Sequence, residues 1–238
     1  MIQAVLFDFG GTLDSDGGHW LDRFFRIYEQ IGLGHLPKDQ VKEAFYWADV
    51  QAENDPSFRS VDLRTMMQRH VRWQFQKLVL TDTAKEIEAS QLSIRPMERM
   101  LHRNRMILET LHFGGLKLGI VSNFYGNIAT LCHEFGYTPL MQVMLDSAVE
   151  GLKKPDLQFF KRALDQMGLA PSHVAFVGDS FERDIVPAKQ LGMQTYWLIG
   201  DEQKFCPDPA QVDFTLRSLE ELPALILPKH RETLGART

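Results

Sequence analysis

The chain opens with a short, unbroken apolar run, Ala4-Val5-Leu6-Phe7, cut off by Asp8. Apolar character without alternation over so few residues suits a strand covered on both faces, and predicts a central strand of a parallel sheet over about 3–8. From about Gly17 to Ile94 no strand pattern stands out and the apolar residues fall at helical spacing. Trp20, Phe24, Ile27 and Ile31 form one stripe, and Val41, Ala44, Phe45 and Ala48 a second. Leu63, Met66, Met67, His70, Val71 and Leu78 form a third, and Thr83 with Glu86 reads as a capping box opening a shorter fourth helix. Gly32, Gly34 and Pro37 separate the first two, and Asp55-Pro56 marks another break. From Arg95-Pro96 onward helix and strand alternate. A helix to about His112 stops at Gly114-Gly115, and strands are predicted over 117–122, 143–145, 174–177, 194–199 and 212–215. Leu157, Phe160, Leu164 and Met167 stripe a helix before Gly168, and Ser218 with Glu221 caps the last one. The pattern predicts an α/β fold, a doubly wound parallel sheet built from 1–15 and 95–238, split by a helical insertion over 16–94.

Ligands of open parallel sheets bind beyond the carboxyl ends of the strands, so polar residues at those ends form one set. Asp8 is followed by Phe9-Gly10-Gly11-Thr12-Leu13, where two glycines allow a sharp turn and close approach to a ligand and Thr12 adds a hydroxyl. Ser122-Asn123 closes the second strand, Lys154 lies in Gly151-Leu152-Lys153-Lys154-Pro155-Asp156, and Asp179 and Asp184 lie in Gly178-Asp179-Ser180-Phe181-Glu182-Arg183-Asp184. Singly these are ordinary turn and cap residues; Asp184, for instance, suits the first turn of any helix. Composition narrows the field. The 238 residues are 44% hydrophobic, ample for a core, and the formal charge of −5 is spread without a basic arm, which speaks against nucleic-acid binding or a polybasic membrane anchor. Two isolated cysteines, Cys132 and Cys206, are too few for a metal knot and favour a reduced, cytoplasmic setting. The first apolar run lacks a basic leader and is too short for a signal peptide or a membrane span.

In order and spacing, the four strand ends resemble the four motifs of the haloacid dehalogenase superfamily, in the branch with a helical cap inserted after the first motif. The resemblance implies a Rossmann-like core, with 16–94 as the cap, and a magnesium-dependent phosphatase acting on a small phosphorylated metabolite. It implies that Asp8 is the nucleophile and forms a phosphoaspartate. Lys154, which precedes Pro155 as the family's lysine does and so is preferred to Lys153, would neutralise charge on Asp8 and the phosphoryl group. Thr12, Ser122 and Asn123 would contact substrate. Magnesium would be held by Asp8, the Gly10 carbonyl and Asp179, with Asp184 in support.

One position departs from the family pattern Asp-x-Asp-Gly-Thr-Leu: its second Asp, the general acid and base, is Gly10 here. Proton transfer by a positioned side chain is worth about 100- to 10,000-fold in rate, so slow turnover is expected. Asp14, Asp16 or His19, in a loop one residue shorter than the family's, are candidates to replace the acid. Family branches without that Asp supply other readings. Dehalogenases carry an aromatic residue and no metal, which Gly178-Asp179-Ser180 argues against. Phosphonoacetaldehyde hydrolases use a cap lysine as a Schiff base, for which Lys38, Lys42, Lys77 and Lys85 are available. P-type ATPases need a membrane span. A reading of a different class is a catalytically reduced protein that binds a phosphorylated ligand or a protein partner. Trp20, Arg23, Phe24, Tyr46, Trp47 and Arg72 are the insertion residues suited to reading a substrate.

Overall fold

The computed structural model describes residues 1–201 and 204–228. Its six strands are β1 (Ala4–Phe7), β2 (Lys117–Ser122), β3 (Met141–Asp146), β4 (Val174–Gly178), β5 (Gln194–Leu198) and β6 (Phe214–Leu216). They form one sheet in the order β3-β2-β1-β4-β5-β6, with every neighbouring pair parallel. β1 is central, and Phe7 lies level with Ile120 of β2 and Val177 of β4. Strand order reverses between β1 and β4, the switch point at which doubly wound sheets leave a crevice for ligands. The carboxyl ends of β1, β2 and β4 therefore bring Asp8, Ser122 and Asp179 to one edge.

Four α-helices lie between β1 and β2: α1 (Trp20–Gln30), α2 (Lys38–Asn54), α3 (Leu63–Lys77) and α4 (Thr83–Phe113). The predicted stripes are their buried faces, with Phe24, Ile27, Val41, Phe45, Met66, Met67 and Val71 in one cluster. That cluster continues onto one face of the sheet through Val5, Phe7, Leu118, Ile120, Ala175 and Val177. The alternate residues, Ala4, Leu6, Val121 and Phe176, face the other side and pack on Phe159, Phe160, Ala163 and Met167. Those belong to α7 (Leu157–Met167), which follows α5 (Ile128–Glu134) and α6 (Ser147–Glu150). α8 (Val186–Gln190) and α9 (Leu222–Ile226) complete the α-helices of the described residues. Gly168 ends α7 in the left-handed conformation, at φ 65, as its place after the stripe predicts.

Two expectations are corrected at α4. Its N-cap is Asp82, which accepts from the Lys85 N–H at 3.1 Å, so Thr83 is already inside the helix. The break expected at Arg95-Pro96 does not occur: Pro96 lies inside a helix of 31 residues. The reason is visible in the buried series Ser90, Ile94, Met97, Leu101, Asn104, Leu108 and Leu111. Its spacing of three and four residues runs through Pro96 without a phase change, and that packing outweighs a proline cost of about 3 kcal/mol. The division expected between 94 and 95 falls inside α4, and the part of the expected core segment past 228 lies outside the described residues.

Candidate active site

Asp8 leaves β1 with its N–H still bonded to the Val177 carbonyl at 2.9 Å, so the sheet fixes its main chain. Its Oδ1 receives the Phe9 N–H, the Ser122 hydroxyl and the Lys154 ammonium, each at 2.7 Å. Among the described residues no donor reaches Oδ2, which leaves one oxygen of this nearly buried carboxylate free. Lys154 Nζ also contacts Asp184 Oδ1 at 2.6 Å. Burial alone would lower the Lys154 ammonium, but Asp184 and Asp8 outweigh it and hold it above its usual range. Asn123 clamps the Lys154 main chain from both sides, donating to its carbonyl at 3.0 Å and accepting its N–H at 2.8 Å. Lys153 is exposed at the surface.

Asp179 follows β4, its carbonyl accepting from Trp197 Nε1 at 3.0 Å. One carboxylate oxygen from each of Asp8, Asp179 and Asp184 lies within 4.8 Å of the others, and all three residues are buried. Asp179 is pushed up to about 8, first by burial and then by the charges of Asp184 and Asp8. Burial likewise raises Asp184, partly offset by Lys154. Three buried carboxyl groups share a single ammonium, which contacts Asp8 and Asp184, and no donor among the described residues satisfies the Asp179 side chain. An oxygen-rich site with that deficit fits a hard divalent cation. Glycines make room for these carboxylates. A Cβ on Gly11, where φ is 85, would stand 2.5 Å from Asp179 Oδ1, and one on Gly178 would stand 2.5 Å from the Asp184 side chain.

A cavity of about 110 Å³ opens beside this cluster. Gly10, Gly11 and Asp179 line it from the sheet side, and His19, Tyr46 and Asp49 line it from the helical side. The other sequence candidates differ in where they lie relative to it. Thr12 is wholly buried, its hydroxyl without a partner among the described residues. Asp14 is turned into the fold, accepting from the Gly11 N–H at 2.8 Å and Trp20 Nε1 at 2.7 Å, and burial raises it to about 6. Asp16 is bound to Arg103, Ser218 and the Leu219 N–H, away from the cavity. His19 stays on the cavity wall, but its Nδ1 accepts the Leu21 N–H at 3.1 Å as the cap of α1; burial lowers its pKa, and Arg183 lowers it further.

Of the aromatic and basic residues singled out in the insertion, Trp20 and Tyr46 line the cavity; Phe24 is in the core, and Arg72 pairs with Glu86 at 3.1 Å. Arg23 and Trp47 are half-buried and do not line the cavity. Lys38, Lys42, Lys77 and Lys85 do not reach it either. Asp49, Tyr125 and Arg183 line it unforeseen. Asp49 carried a signal in the sequence: it stands four residues after Phe45, at the edge of an apolar helical stripe.

The family profile described as haloacid dehalogenase-like hydrolase matches residues 5–198. A glyceraldehyde 3-phosphate phosphatase of Methanocaldococcus jannaschii is 36% identical over 113 residues, covering 45% of this chain and 48% of that protein. The haloacid dehalogenase-like hydrolase domain-containing protein 3 of Bos taurus is 34% identical over 99 residues, covering 42% of this chain and 38% of that protein. The chain thus spans half or less of the length of these curated relatives. The solved structure of a dehalogenase with an intermediate complex superposes with a TM-score of 0.65 at 16% identity, covering 95% of this chain and 98% of the other, and shares the fold.

Proposed function

The chain belongs to the haloacid dehalogenase-like hydrolases, and from that premise we propose that it is a magnesium-dependent phosphatase that attacks a small phosphorylated metabolite with Asp8. The observation that carries this reading is the loading of Asp8: three donors on Oδ1, a free Oδ2, and a buried carboxylate cluster beside it. Asp8 Oδ2 forms the bond to phosphorus as the bond to the leaving oxygen breaks, giving a phosphoaspartate that water then hydrolyses. Lys154 offsets the negative charge of the carboxylate and of the incoming phosphoryl group, and Asp184 keeps the ammonium in place. When substrate enters, the Ser122 hydroxyl turns its one proton from Asp8 Oδ1 to a phosphoryl oxygen, and Thr12 and Asn123 contact the substrate through the main chain around them. Asp8, Asp179 and the Gly10 carbonyl hold magnesium, supported by Asp184; the bound ion supplies charge neutralisation of the phosphoryl oxygens. Residues 16–94 act as a cap over a core of 1–15 and 95–238, excluding water and selecting the leaving group. The similarity to a glyceraldehyde 3-phosphate phosphatase supports a small phosphorylated substrate.

A panel of small phosphomonoesters with magnesium tests this. Phosphate release from at least one of them, abolished by chelation and by Asp8→Asn, is expected. Release at the wild-type rate by Asp8→Asn contradicts it. The missing side chain at Gly10 favours a second reading, a reduced family member that binds a phosphorylated ligand or protein partner; binding without Asp8-dependent release distinguishes it.

A further inference from the structure

A carboxylate that the first motif lacks is present across the cavity. Asp49 of α2 is held by two donors on one oxygen. The Tyr125 hydroxyl donates to Asp49 Oδ1, and His70 Nε2 lies 3.0 Å from the same atom. The His70 ring is oriented in turn: Tyr28 donates to Gln74 Oε1 at 3.1 Å, so the Gln74 amide N–H₂ faces His70 Nδ1 at 2.9 Å. With Nδ1 accepting, the ring proton sits on Nε2 and points at Asp49. Phe24 stacks on the His70 ring at 5.8 Å and Trp20 packs edge-on at 6.2 Å, so ring and carboxylate are fixed together. His70 and Gln74 are fully buried, whereas the Asp49 side chain keeps 24% of its surface exposed and lines the same cavity as Gly10 and Asp179. Among the described residues no donor reaches Asp49 Oδ2.

A buried chain of hydrogen bonds ending on one oxygen of a carboxylate that lines the cavity, with no donor among the described residues on the other, is the support that a proton-transfer group requires. His19 shares the cavity but cannot replace it as a base, because its Nδ1 lone pair already accepts a backbone N–H. Asp14 has both oxygens occupied inside the fold.

We infer that Asp49 is the general base and acid of this enzyme, supplying from α2 the proton transfer that Gly10 cannot. This rests on the reading of Asp8 as the phosphorylated nucleophile. In the second half-reaction Asp49 Oδ2 takes a proton from the attacking water. The water oxygen bonds to phosphorus, and the phosphorus–Asp8 bond breaks with its electron pair returning to the Asp8 carboxylate. The proton now on Asp49 passes to the leaving oxygen of the next substrate, which restores the carboxylate and closes the cycle.

The test uses the full chain with magnesium and p-nitrophenyl phosphate, whose leaving group departs without a proton. In Asp49→Asn the first turnover should survive as a burst of p-nitrophenolate. Steady-state release should fall about 100- to 10,000-fold, with the labelled phosphoryl group accumulating on the protein. Adding Gly10→Asp to Asp49→Asn should restore steady-state release, which a variant that merely failed to fold could not do. The Gly10 site admits that side chain: its φ is −71, and a Cβ there meets only Phe124, at 3.5 Å. Asp49→Asn turning over like the wild type, or losing turnover with neither burst nor rescue, overturns the assignment. Release that survives in Asp8→Asn, or that the wild type lacks, instead removes the Asp8 reading and this proposal with it.

Discussion

Three glycines near Asp8 serve three different ends, and only their conformations separate them. Gly10 adopts φ −71 and ψ 125, which any residue can take. Gly11 adopts φ 85 and ψ −18, and a Cβ there would collide with Asp179. Gly178 needs no special backbone but has the Asp184 carboxylate where its side chain would be. Gly10→Ala should therefore leave stability nearly unchanged in urea denaturation. Gly11→Ala should cost about 1–3 kcal/mol and abolish magnesium-dependent turnover; equal losses in the two variants would contradict the account. The pair Gly10-Gly11 was legible in the sequence as a turn, but which glycine is obligatory was not, because that depends on Asp179, a residue 168 positions away. Asp14 shows the same limit. Its place in the loop suggests a proton donor, and only the fold reveals that the Gly11 N–H and the Trp20 indole occupy it.

Elements were legible where the packing that selects them is local. The run 4–7 reads as a buried strand because sheet neighbours and helices cover both its faces, and the stripes of α1, α2 and α3 read as helices because each buries one side. α4 was harder, since a proline is a local signal and the buried series that carries the helix through it is a tertiary one. This helix also anchors the motif loop: buried Asn104 donates to the Leu13 carbonyl at 2.7 Å, and Arg103 pairs with Asp16 at 2.7 Å. Removing that donor leaves a buried carbonyl unpaired, so Asn104→Ala should lower stability by about 1–3 kcal/mol and weaken magnesium affinity through the loop, measured by denaturation and by titration calorimetry. Asp49 and His70 were illegible as a pair because they come from different helices, α2 and α3, whose stripes show burial and not partnership.

For the whole molecule, the doubly wound topology gathers charge that no single segment carries. Asp8 and Asp179 follow the neighbouring strands β1 and β4, Asp184 lies in the helical turn just past Asp179, and Lys154 comes from the loop beyond β3 and α6, so the cluster exists only when the sheet is complete. Burial raises Asp179 to about 8, and Asp184, Asp14 and Asp146 each to about 6. The native state thus keeps protons that the unfolded chain has released, and without a divalent cation stability should fall as pH rises from about 4 to about 8. Added magnesium should raise the Tm more at pH 8 than at pH 5; a pH-independent shift would contradict this electrostatic account. Among the described residues no helix is long and apolar enough to cross a membrane. The central claim, that Asp8 carries the phosphoryl group, is tested most directly by rapid acid quench of the full chain with magnesium and a labelled phosphomonoester, followed by peptide mapping. The account predicts label on the peptide containing Asp8 and none in Asp8→Asn. Phosphate release by both proteins with no covalent label would contradict it.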